Sequence, residues 1–302
     1  MKLGFVSALL ADRSLAQVLA TASEHGFDSV ELMCWPVGKA ERRYAGVTHV
    51  DVVGFGDADA ERVRQQCAEH GVTISGLGYY PNPLTADSKE RAVYADHLKR
   101  VIEASALLGV NLVESFVGRD HERSVDENWP VFEQVWPPLV EFAERAGVRI
   151  AIENCPMLFS GDEWPGGKNL ATTPESWRRM FETIPSASFG LVFDPSHLVW
   201  QFIDIPRAIY DFHDRFLLVH AKDVKVLPHL LYERGVMGLG WSVPKLPGLG
   251  DTDWGAFFSA LSDVGYAGDL CIEVEDRAYE ADLAARERAL VQSRRFLLGY
   301  MS

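Results

Sequence analysis

Short apolar runs alternate with longer amphipathic stretches along the whole chain. Eight of these runs have the length of a buried strand, and they are apolar nearly throughout, without a polar residue at every second position. This pattern is typical of parallel strands that are covered on both faces. The predicted strands are Leu3–Val6, Ser29–Met33, Thr73–Gly78, Leu112–Val117, Arg149–Glu153, Phe189–Phe193, Phe216–His220 and Asp269–Val274.

The stretches between the strands carry the start and stop signals of helices. Four of them are followed directly by a glycine, the residue preferred just after the C-terminal end of a helix. The fifth begins after two threonines and has Pro174 in its first turn. The predicted helices are Ser14–His25, Asp57–His70, Asp87–Leu108, Trp129–Ala146, Glu175–Ile184, Ile205–His213, Asp253–Val264 and Ala281–Leu298.

Eight strands, each followed by a helix, predict an α/β protein: a closed (β/α)8 TIM barrel that forms a single domain over residues 1–302. Dividing 302 residues among eight units gives about 38 residues per unit, which suits that fold. A doubly wound open sheet is the alternative, but it usually carries a glycine-rich turn after its first strand. The residues at that point, Val6-Ser7-Ala8-Leu9, do not form such a turn.

The connections differ in length between the two ends of the predicted barrel. Those that follow strands are long and rich in glycine, proline and aromatic residues, whereas those that follow helices are often only a glycine and two further residues. In a barrel, the loops after the strands build the active-site face. The long connections therefore predict an enzyme with a deep, partly roofed pocket, and they are residues 34–56, 79–86, 155–173 and 224–251.

Composition narrows the class of protein further. The chain has 29 Lys and Arg against 43 Asp and Glu, and its formal charge of −14 argues against binding nucleic acid or an anionic membrane. No apolar stretch reaches the roughly 20 residues that span a membrane. The first apolar run lacks a clear signal-peptide cleavage site. Four scattered cysteines predict free thiols, so we expect a cytoplasmic protein.

The ends of the last four predicted strands carry residue types that bind metal ions. These residues are Glu153, Asp194, His220 and Glu273. Each follows apolar residues, which places its charge at the mouth of a dry barrel. Desolvating three adjacent carboxylates is very unfavourable unless a cation neutralises them. Oxygen-rich ligation with one nitrogen favours Mn²⁺ as the single divalent ion, with Mg²⁺, Co²⁺ and Zn²⁺ as the alternatives.

The motifs at these four strand ends resemble the core motifs of the xylose-isomerase-like barrel superfamily. They are Ile152-Glu153-Asn154, Phe193-Asp194-Pro195-Ser196-His197, His220-Ala221-Lys222-Asp223 and Ile272-Glu273-Val274-Glu275. Pro247-Gly248-Leu249-Gly250-Asp251, followed by Asp253-Trp254, also resembles a loop of the branch of sugar phosphate isomerases and epimerases. The superfamily holds sugar isomerases, sugar epimerases, inosose dehydratases and apurinic endonucleases. The resemblance therefore covers essentially the whole chain but specifies the substrate poorly.

The resemblance implies that Glu153, Asp194, His220 and Glu273 are the metal ligands. It also implies that Glu153 and Glu273 form an acid/base pair. The implied function is a divalent-metal-dependent isomerase or epimerase of a keto-sugar, polyol or sugar phosphate, which transfers a proton through a metal-stabilised enediolate. A lyase on the same site is the alternative, either an inosose dehydratase or a β-eliminating 3-keto-glycoside deglycosidase. A non-catalytic sugar-binding barrel is a more remote alternative.

Three further residues are predicted to contact substrate. The family has a histidine that contacts a substrate oxygen at the position of His197. Lys222 is placed either to polarise a substrate oxygen or to pair with Glu275. Trp35 is placed either to stack on a sugar face or to pack on the barrel rim, and Asp223 is expected to cap the segment that follows it. Weaker pocket candidates are Tyr79, Tyr80, Trp164 and Trp241.

The nuclease branch of the superfamily fits this chain badly. That branch holds a metal cluster with extra histidines on other strands, and the third and fourth predicted strands contain no histidine. The net negative charge also disfavours a DNA substrate. We therefore expect a small-molecule sugar or polyol as the partner, with no nucleic acid and no membrane, and the sequence leaves homo-oligomerisation open.

Overall fold

The computed structural model describes residues 1–38, 45–157 and 167–301. Within these residues, eight parallel strands close into a barrel in the order β1-β10-β7-β6-β5-β4-β3-β2, so the predicted (β/α)8 TIM barrel is confirmed. The strands are β1 Lys2–Val6, β2 Ser29–Met33, β3 Thr73–Gly78, β4 Leu112–Ser115, β5 Arg149–Glu153, β6 Phe189–Phe193, β7 Phe216–Ala221, β8 Asp223–Val226, β9 Ser242–Lys245 and β10 Asp269–Ile272.

Helices connect the barrel strands, and most lie within one or two residues of their predicted bounds. Two shorter helices, α6 and α8, interrupt connections in which the sequence predicts none. The helices are α1 Leu15–Glu24, α2 Asp57–His70, α3 Ser88–Leu108, α4 Val125–Arg145, α5 Pro174–Thr183, α6 Ser196–Val199, α7 Ile205–Phe212, α8 Pro228–Arg234, α9 Trp254–Asp263 and α10 Leu283–Leu297.

Helix α4 begins at Val125 instead of the predicted Trp129. The Ser124 hydroxyl accepts a hydrogen bond from the Glu127 N–H at 3.3 Å, and the Glu127 carboxylate accepts one from the Ser124 N–H at 3.0 Å. This reciprocal pair is a capping box, which satisfies donors at the start of a helix. The Ser-x-x-Glu capping box therefore sets the start of α4, and the helix continues through its internal prolines, Pro130, Pro137 and Pro138.

The segment 224–251, predicted as a long loop, contains regular secondary structure. Strands β8 and β9 pair antiparallel, with Asp223 opposite Lys245 and Val226 opposite Ser242, and α8 lies between them. Trp241, a weaker pocket candidate, is buried and packs edge-on against Trp200 with ring centroids 6.3 Å apart. This hairpin forms part of the wall of the cavity at the barrel mouth.

Side chains alternate along the barrel strands between two hydrophobic clusters. Leu191 and Phe193 of β6 belong to the large cluster that includes residues of the surrounding helices. Val192, between them, packs in the barrel interior with Leu218 of β7 and Cys271 of β10. Because neighbouring side chains on a strand point to opposite faces, a residue two positions beyond such an interior residue also points inward.

Two predictions from composition can be compared directly with the fold. Cys34, Cys67 and Cys271 are buried free thiols, and Cys155 is a half-buried one. No described helix combines the length and apolar character that are needed to cross a bilayer.

Candidate active site

Because side chains along a strand alternate between its two faces, the four predicted metal ligands all point toward the barrel interior and meet at the barrel mouth. Each stands two positions beyond an apolar residue of the barrel interior, namely Ala151, Val192, Leu218 and Cys271. One ligand atom from each of the four lies within 4.8 Å of the others. Three of the residues are buried, and the fourth is partly exposed toward the cavity: the four are Glu153, Asp194, His220 and Glu273.

Three atoms of this cluster have no hydrogen-bond partner among the described residues. They are Glu153 Oε1, Asp194 Oδ2 and His220 Nδ1. Buried polar atoms are nearly always paired, and an unpaired one costs about 1–3 kcal/mol. Carboxylate oxygens and an imidazole nitrogen are ligands that divalent metals accept. The donor set and its unpaired atoms therefore fit the predicted divalent cation.

Lys222 places its ammonium group beside the same cluster. Its Nζ lies 2.5 Å from Glu273 Oε2, 3.0 Å from Asp194 Oδ2 and 3.3 Å from Glu275 Oε2. Burial disfavours the charged form, but the surrounding carboxylates outweigh it and hold the pKa of Lys222 well above its usual value. The predicted pairing with Glu275 is present, whereas a contact with a substrate oxygen stays a prediction.

The two predicted acid/base residues differ in pKa. Burial alone would raise the pKa of Glu153, but the adjacent His197 and His220 rings outweigh burial and lower it to about 2. Burial, opposed by Lys222 and reinforced by the charge of Glu153, raises the pKa of Glu273 to about 7. Burial and neighbouring groups together thus give the two carboxylates of one site different pKa values, as is typical of acids in functional sites.

His197 lies on the short helix α6 and reaches the acids from the side of the cavity. Its Nε2 is 3.2 Å from Asp194 Oδ2 and 3.5 Å from Glu153 Oε1. Burial lowers the pKa of His197, but the neighbouring Cys155 and Asp194 reverse this and raise it well above its usual value. His197 also lines the cavity. A molecule in the cavity could therefore reach His197, and the contact with substrate stays a prediction.

Two asparagines that the sequence analysis does not single out hold the strand ends in place. The Asn154 side chain donates to Asp194 O at 2.9 Å and accepts from Asp194 N at 2.7 Å. Asn169 Nδ2 donates to the carbonyls of Glu153 and Cys155, both at 2.8 Å. Asn154 stands inside one of the strand-end motifs, but Asn169 lies in a loop with no local signal for this role.

The carboxylate of Asp223 organises the loop that leads into α9. We call Asp223 and its donors the Asp223 clamp. The donors are the backbone N–H groups of Val224 and Thr252 to Oδ1, those of Gly248 and Gly250 to Oδ2, and Trp254 Nε1 to Oδ2, all at 2.8–3.0 Å. A Cβ on Gly250 would overlap the Asp223 carboxylate, and Gly248 adopts a φ of +86°. The clamp accounts for the Pro247–Asp251 motif and for the capping role that the sequence predicts.

A cavity of about 860 Å³ opens at the barrel mouth, and two of the four candidate ligands, Glu153 and Glu273, line it. This volume lies within the range of about 300–1,000 Å³ that is typical of small-molecule sites. One wall is apolar, and its residues include Met33, Trp35, Tyr80, Phe116 and Met157. The other side includes the β8–β9 hairpin and the polar segment after β10, so the cavity has an apolar side and a polar side.

Trp35 stands at the edge of the cavity, and its predicted stacking on a sugar face stays a prediction. It lines the cavity, and its ring also packs edge-on against Tyr79 with centroids 5.0 Å apart. Of the weaker candidates, Tyr80 lines the cavity and Tyr79 is buried behind Trp35. Trp164 lies outside the described residues.

Proteins similar to this chain in sequence include an L-ribulose 3-epimerase and several inosose dehydratases. The chain is 25% identical to the protein YfiH of Bacillus subtilis, over 97% of this chain and 99% of that protein. It is 25% identical to L-ribulose 3-epimerase of Mesorhizobium japonicum, over 88% of this chain and 77% of the epimerase. It is also 25% identical to an inosose dehydratase of Clostridium tetani, but over only 57% of this chain and 59% of the dehydratase.

Solved structures share the fold at low sequence identity. A D-psicose 3-epimerase crystallised in the presence of D-fructose superposes with a TM-score of 0.73 at 15% identity, over 100% of this chain and 99% of that one. An IolI protein with a bound zinc atom gives a TM-score of 0.73 at 21% identity, over 100% of this chain and 98% of that one.

A family model described as "Xylose isomerase-like TIM barrel" matches residues 19–299, which include all four strand-end motifs. The closed eight-stranded barrel agrees with that description. The chain therefore belongs to the xylose isomerase-like TIM barrel family.

Proposed function

We propose that this protein is a divalent-metal-dependent isomerase or epimerase of a keto-sugar, polyol or sugar phosphate. The observation that carries the proposal is the cluster of four candidate ligands at the barrel mouth, of which Glu153 and Glu273 line a cavity of about 860 Å³. Glu153 Oε1 and Glu273 Oε2 each lie 3.8 Å from His220 Nδ1. The L-ribulose 3-epimerase relative supports an enzyme that acts on a sugar.

Glu153, Asp194, His220 and Glu273 would hold the cation. When bound, a divalent ion would polarise the substrate carbonyl, lower the pKa of the adjoining C–H and offset the negative charge that develops as the proton leaves. Three oxygen ligands and one nitrogen suit Mn²⁺, with Mg²⁺, Co²⁺ and Zn²⁺ as the alternatives. The zinc atom of the IolI structure supports a divalent ion in this fold.

Glu153 and Glu273 approach the cavity floor from strands that are not neighbours, because β6 and β7 lie between β5 and β10. A carboxylate on each side of a carbon atom can remove a proton from one face and return a proton to the other face, which is an epimerisation. Return of the proton to the neighbouring carbon is an isomerisation. Lys222 donates to Glu273 Oε2 and thereby holds that carboxylate in place.

His197 and Trp35 complete the proposed substrate site. His197 lines the cavity beside Glu153 and would donate to a substrate oxygen. Trp35 presents its ring to the apolar side of the cavity and would stack on a sugar face. Both residues would orient the reacting carbon between the two carboxylates.

A lyase is the second candidate, and the inosose dehydratase relatives favour it. Those relatives match about half of this chain. Elimination begins with the same proton removal, and it then expels a group from the carbon next to the one that lost the proton. The residues that hold the cation are therefore the same for both candidates.

Exchange of substrate hydrogen with solvent tests the acid/base assignment. Protein loaded with Mn²⁺ in D₂O should introduce deuterium next to the carbonyl of its keto-sugar, as measured by NMR or mass spectrometry. Glu153→Gln and Glu273→Gln should each slow this exchange by about 10²–10⁴-fold, the typical contribution of a general acid or base. Exchange at the wild-type rate in both variants would contradict the assignment.

Glu275→Gln is the matched control for that experiment. Glu275 also contacts Lys222, at 3.3 Å, but its carboxylate is not among the four candidate ligands. We expect it to retain exchange within about 10-fold of wild type, below the general-acid/base range. Among active substrates, an unsaturated product or a released leaving group identifies the lyase, whereas a product of unchanged mass identifies the isomerase or epimerase.

A further inference from the structure

Two buried carboxylic acids lie in the barrel interior close to the candidate metal centre. Glu31 of β2 and Glu114 of β4 are both fully buried. Strand β3, which lies between β2 and β4, makes room for them, since a Cβ on Gly76 would overlap the Glu114 carboxyl and one on Gly78 would lie 2.7 Å from Glu31 Oε1. The register between β2 and β3 also shifts just before Glu31, and such bulges often re-aim a side chain near an active site.

The two acids differ in what they contact. Glu31 Oε2 lies 2.7 Å from His220 Nε2, and Glu31 Oε1 accepts a hydrogen bond from the Tyr80 hydroxyl at 2.5 Å. Neither oxygen of Glu114 has a hydrogen-bond partner among the described residues. Glu31 therefore connects a candidate metal ligand to Tyr80, whose ring lines the cavity.

The contact between Glu31 and His220 determines which ring nitrogen carries a proton. A carboxylate accepts from Nε2–H, so in the neutral ring this hydrogen bond places the proton on Nε2 and leaves the Nδ1 lone pair free. His220 Nδ1 faces the other side, 3.8 Å from both Glu153 Oε1 and Glu273 Oε2. Metal-binding histidines commonly donate their second N–H to a carboxylate, which fixes both the tautomer and the ring orientation.

We propose that Glu31 is a positioning residue of this site, which orients His220 through Nε2 so that Nδ1 is presented to the cation, and that Tyr80 holds Glu31 in place for this role. This inference rests on the proposed metal-dependent function, because His220 is a ligand only if the cluster binds a metal. It assigns a role to a side chain outside the strand-end motifs. It also connects the apolar wall of the cavity, through the Tyr80 hydroxyl, to the metal centre.

The test is equilibrium binding of Mn²⁺ to the full-length chain, measured by EPR or calorimetry, and it needs no substrate. Glu31→Gln should weaken Mn²⁺ binding by about 10–100-fold, as is typical when the partner of a metal-binding histidine is removed. Tyr80→Phe removes one hydroxyl and should weaken binding by a smaller factor. Glu114→Gln is the matched control, because it alters an equally buried acid whose oxygens make no hydrogen bond to His220. It should bind Mn²⁺ as tightly as wild type.

A second readout follows the His220 ring itself. Long-range ¹H–¹⁵N spectra of the Zn²⁺-loaded, diamagnetic protein should show His220 protonated on Nε2 in wild type and in Glu114→Gln. In Glu31→Gln, the chemical shift of that nitrogen should change because its carboxylate acceptor is gone. A general loss of stability would not produce a change confined to this ring.

The outcomes separate this inference from the proposed function. Wild-type Mn²⁺ affinity in both Glu31→Gln and Tyr80→Phe, or an equal loss in Glu114→Gln, would overturn the positioning role while leaving metal binding intact. A wild-type chain that binds no divalent ion would overturn the proposed function as well. If Glu31→Gln does not fold, Tyr80→Phe decides the question, because it keeps the ring and its packing.

Discussion

The candidate metal centre, formed by Glu153, Asp194, His220 and Glu273, and the Asp223 clamp both contain a buried aspartate just beyond a barrel strand. The groups that surround the two aspartates differ. Asp194 and Asp223 are each fully buried. Both oxygens of Asp223 accept hydrogen bonds from N–H groups of the surrounding loop. Asp194 Oδ2 instead faces charged side chains, with Lys222 Nζ at 3.0 Å and His197 Nε2 at 3.2 Å, and it lies within the cluster of candidate metal ligands. The difference separates a carboxylate that neutral N–H donors hold in a loop from one that belongs to a cluster of ionisable groups.

The same contrast holds for two buried histidines. His49 has a partner on each ring nitrogen, with Nδ1 2.9 Å from Ser7 Oγ and Nε2 3.2 Å from Leu10 O. His220 contacts Glu31 through Nε2, and its Nδ1 has no hydrogen-bond partner among the described residues. Burial therefore does not distinguish these two histidines, whereas the pairing of their ring nitrogens does.

The largest effect is expected from the clamp. Asp223→Ala removes the acceptor of several buried N–H groups, so the free energy of unfolding should fall by about 4 kcal/mol, since each unpaired donor costs about 1–3 kcal/mol. Urea denaturation measures this. Asp253→Ala is the control in the same loop, because Asp253 accepts one cap hydrogen bond from Ala256 N and its loss should cost about 1 kcal/mol. Equal losses in the two variants would contradict the clamp.

An intermediate effect is expected when metal is added. Mn²⁺ at 100 times its Kd should raise the free energy of unfolding of wild type by about 2.7 kcal/mol, because the ion binds the folded chain. Asp194→Asn keeps an acceptor for Ser196 N but loses the negative charge of a candidate ligand, so its gain should be less than about 1 kcal/mol.

Asp223→Asn is the control for the Mn²⁺-induced stabilisation of wild type and Asp194→Asn. It should start from a lower stability than wild type and yet gain as much from Mn²⁺, because its carboxylate serves the loop and not the cation. A full metal-induced gain in Asp194→Asn, or none in Asp223→Asn, would break the contrast between the two sites.

The smallest effect is expected from pH at His49. Burial lowers the pKa of His49 below its ordinary value, so the unfolded chain binds this proton more readily than the folded chain. The contribution of His49 to stability is therefore complete above the ordinary histidine pKa of about 6.5 and is lost as the pH falls through that value. Urea denaturation between pH 7.5 and 5.5 should show a shallower dependence in His49→Gln than in wild type. Identical slopes would contradict the prediction.

Much of the fold follows from local sequence patterns. The apolar runs place all eight barrel strands, and the glycines after α2 and α3 mark the ends of those helices. The start of α4 is also encoded locally, in the Ser124-x-x-Glu127 capping box, although the prolines inside the helix obscure it. These features depend on residues a few positions apart, which is why the sequence alone reveals them.

Local sequence patterns do not predict the roles of Glu31 and Glu114, the two buried acids of the barrel interior. Glu31 interrupts an apolar strand, and nothing near it in sequence indicates a partner. Its contact with His220 spans 189 positions and crosses the barrel between β2 and β7, which are not neighbouring strands. The β8–β9 hairpin is likewise hidden, because its pairing joins two segments with little apolar periodicity.

The sequence by itself predicted the barrel and placed four ionisable residues, Glu153, Asp194, His220 and Glu273, at the ends of its last four strands. Apolar runs and the residues that directly follow them are local properties, which is why the sequence reveals them. The tertiary structure alone decided which polar atoms are paired and which stay open. The loop that leads into α9 gave Asp223 most of its donors, and closure of the barrel brought the Glu31 carboxylate to His220 Nε2. His220 Nδ1 was left without a hydrogen-bond partner among the described residues. Hydrogen bonding between distant segments, which no local pattern encodes, separates the candidate metal centre from its structural supports.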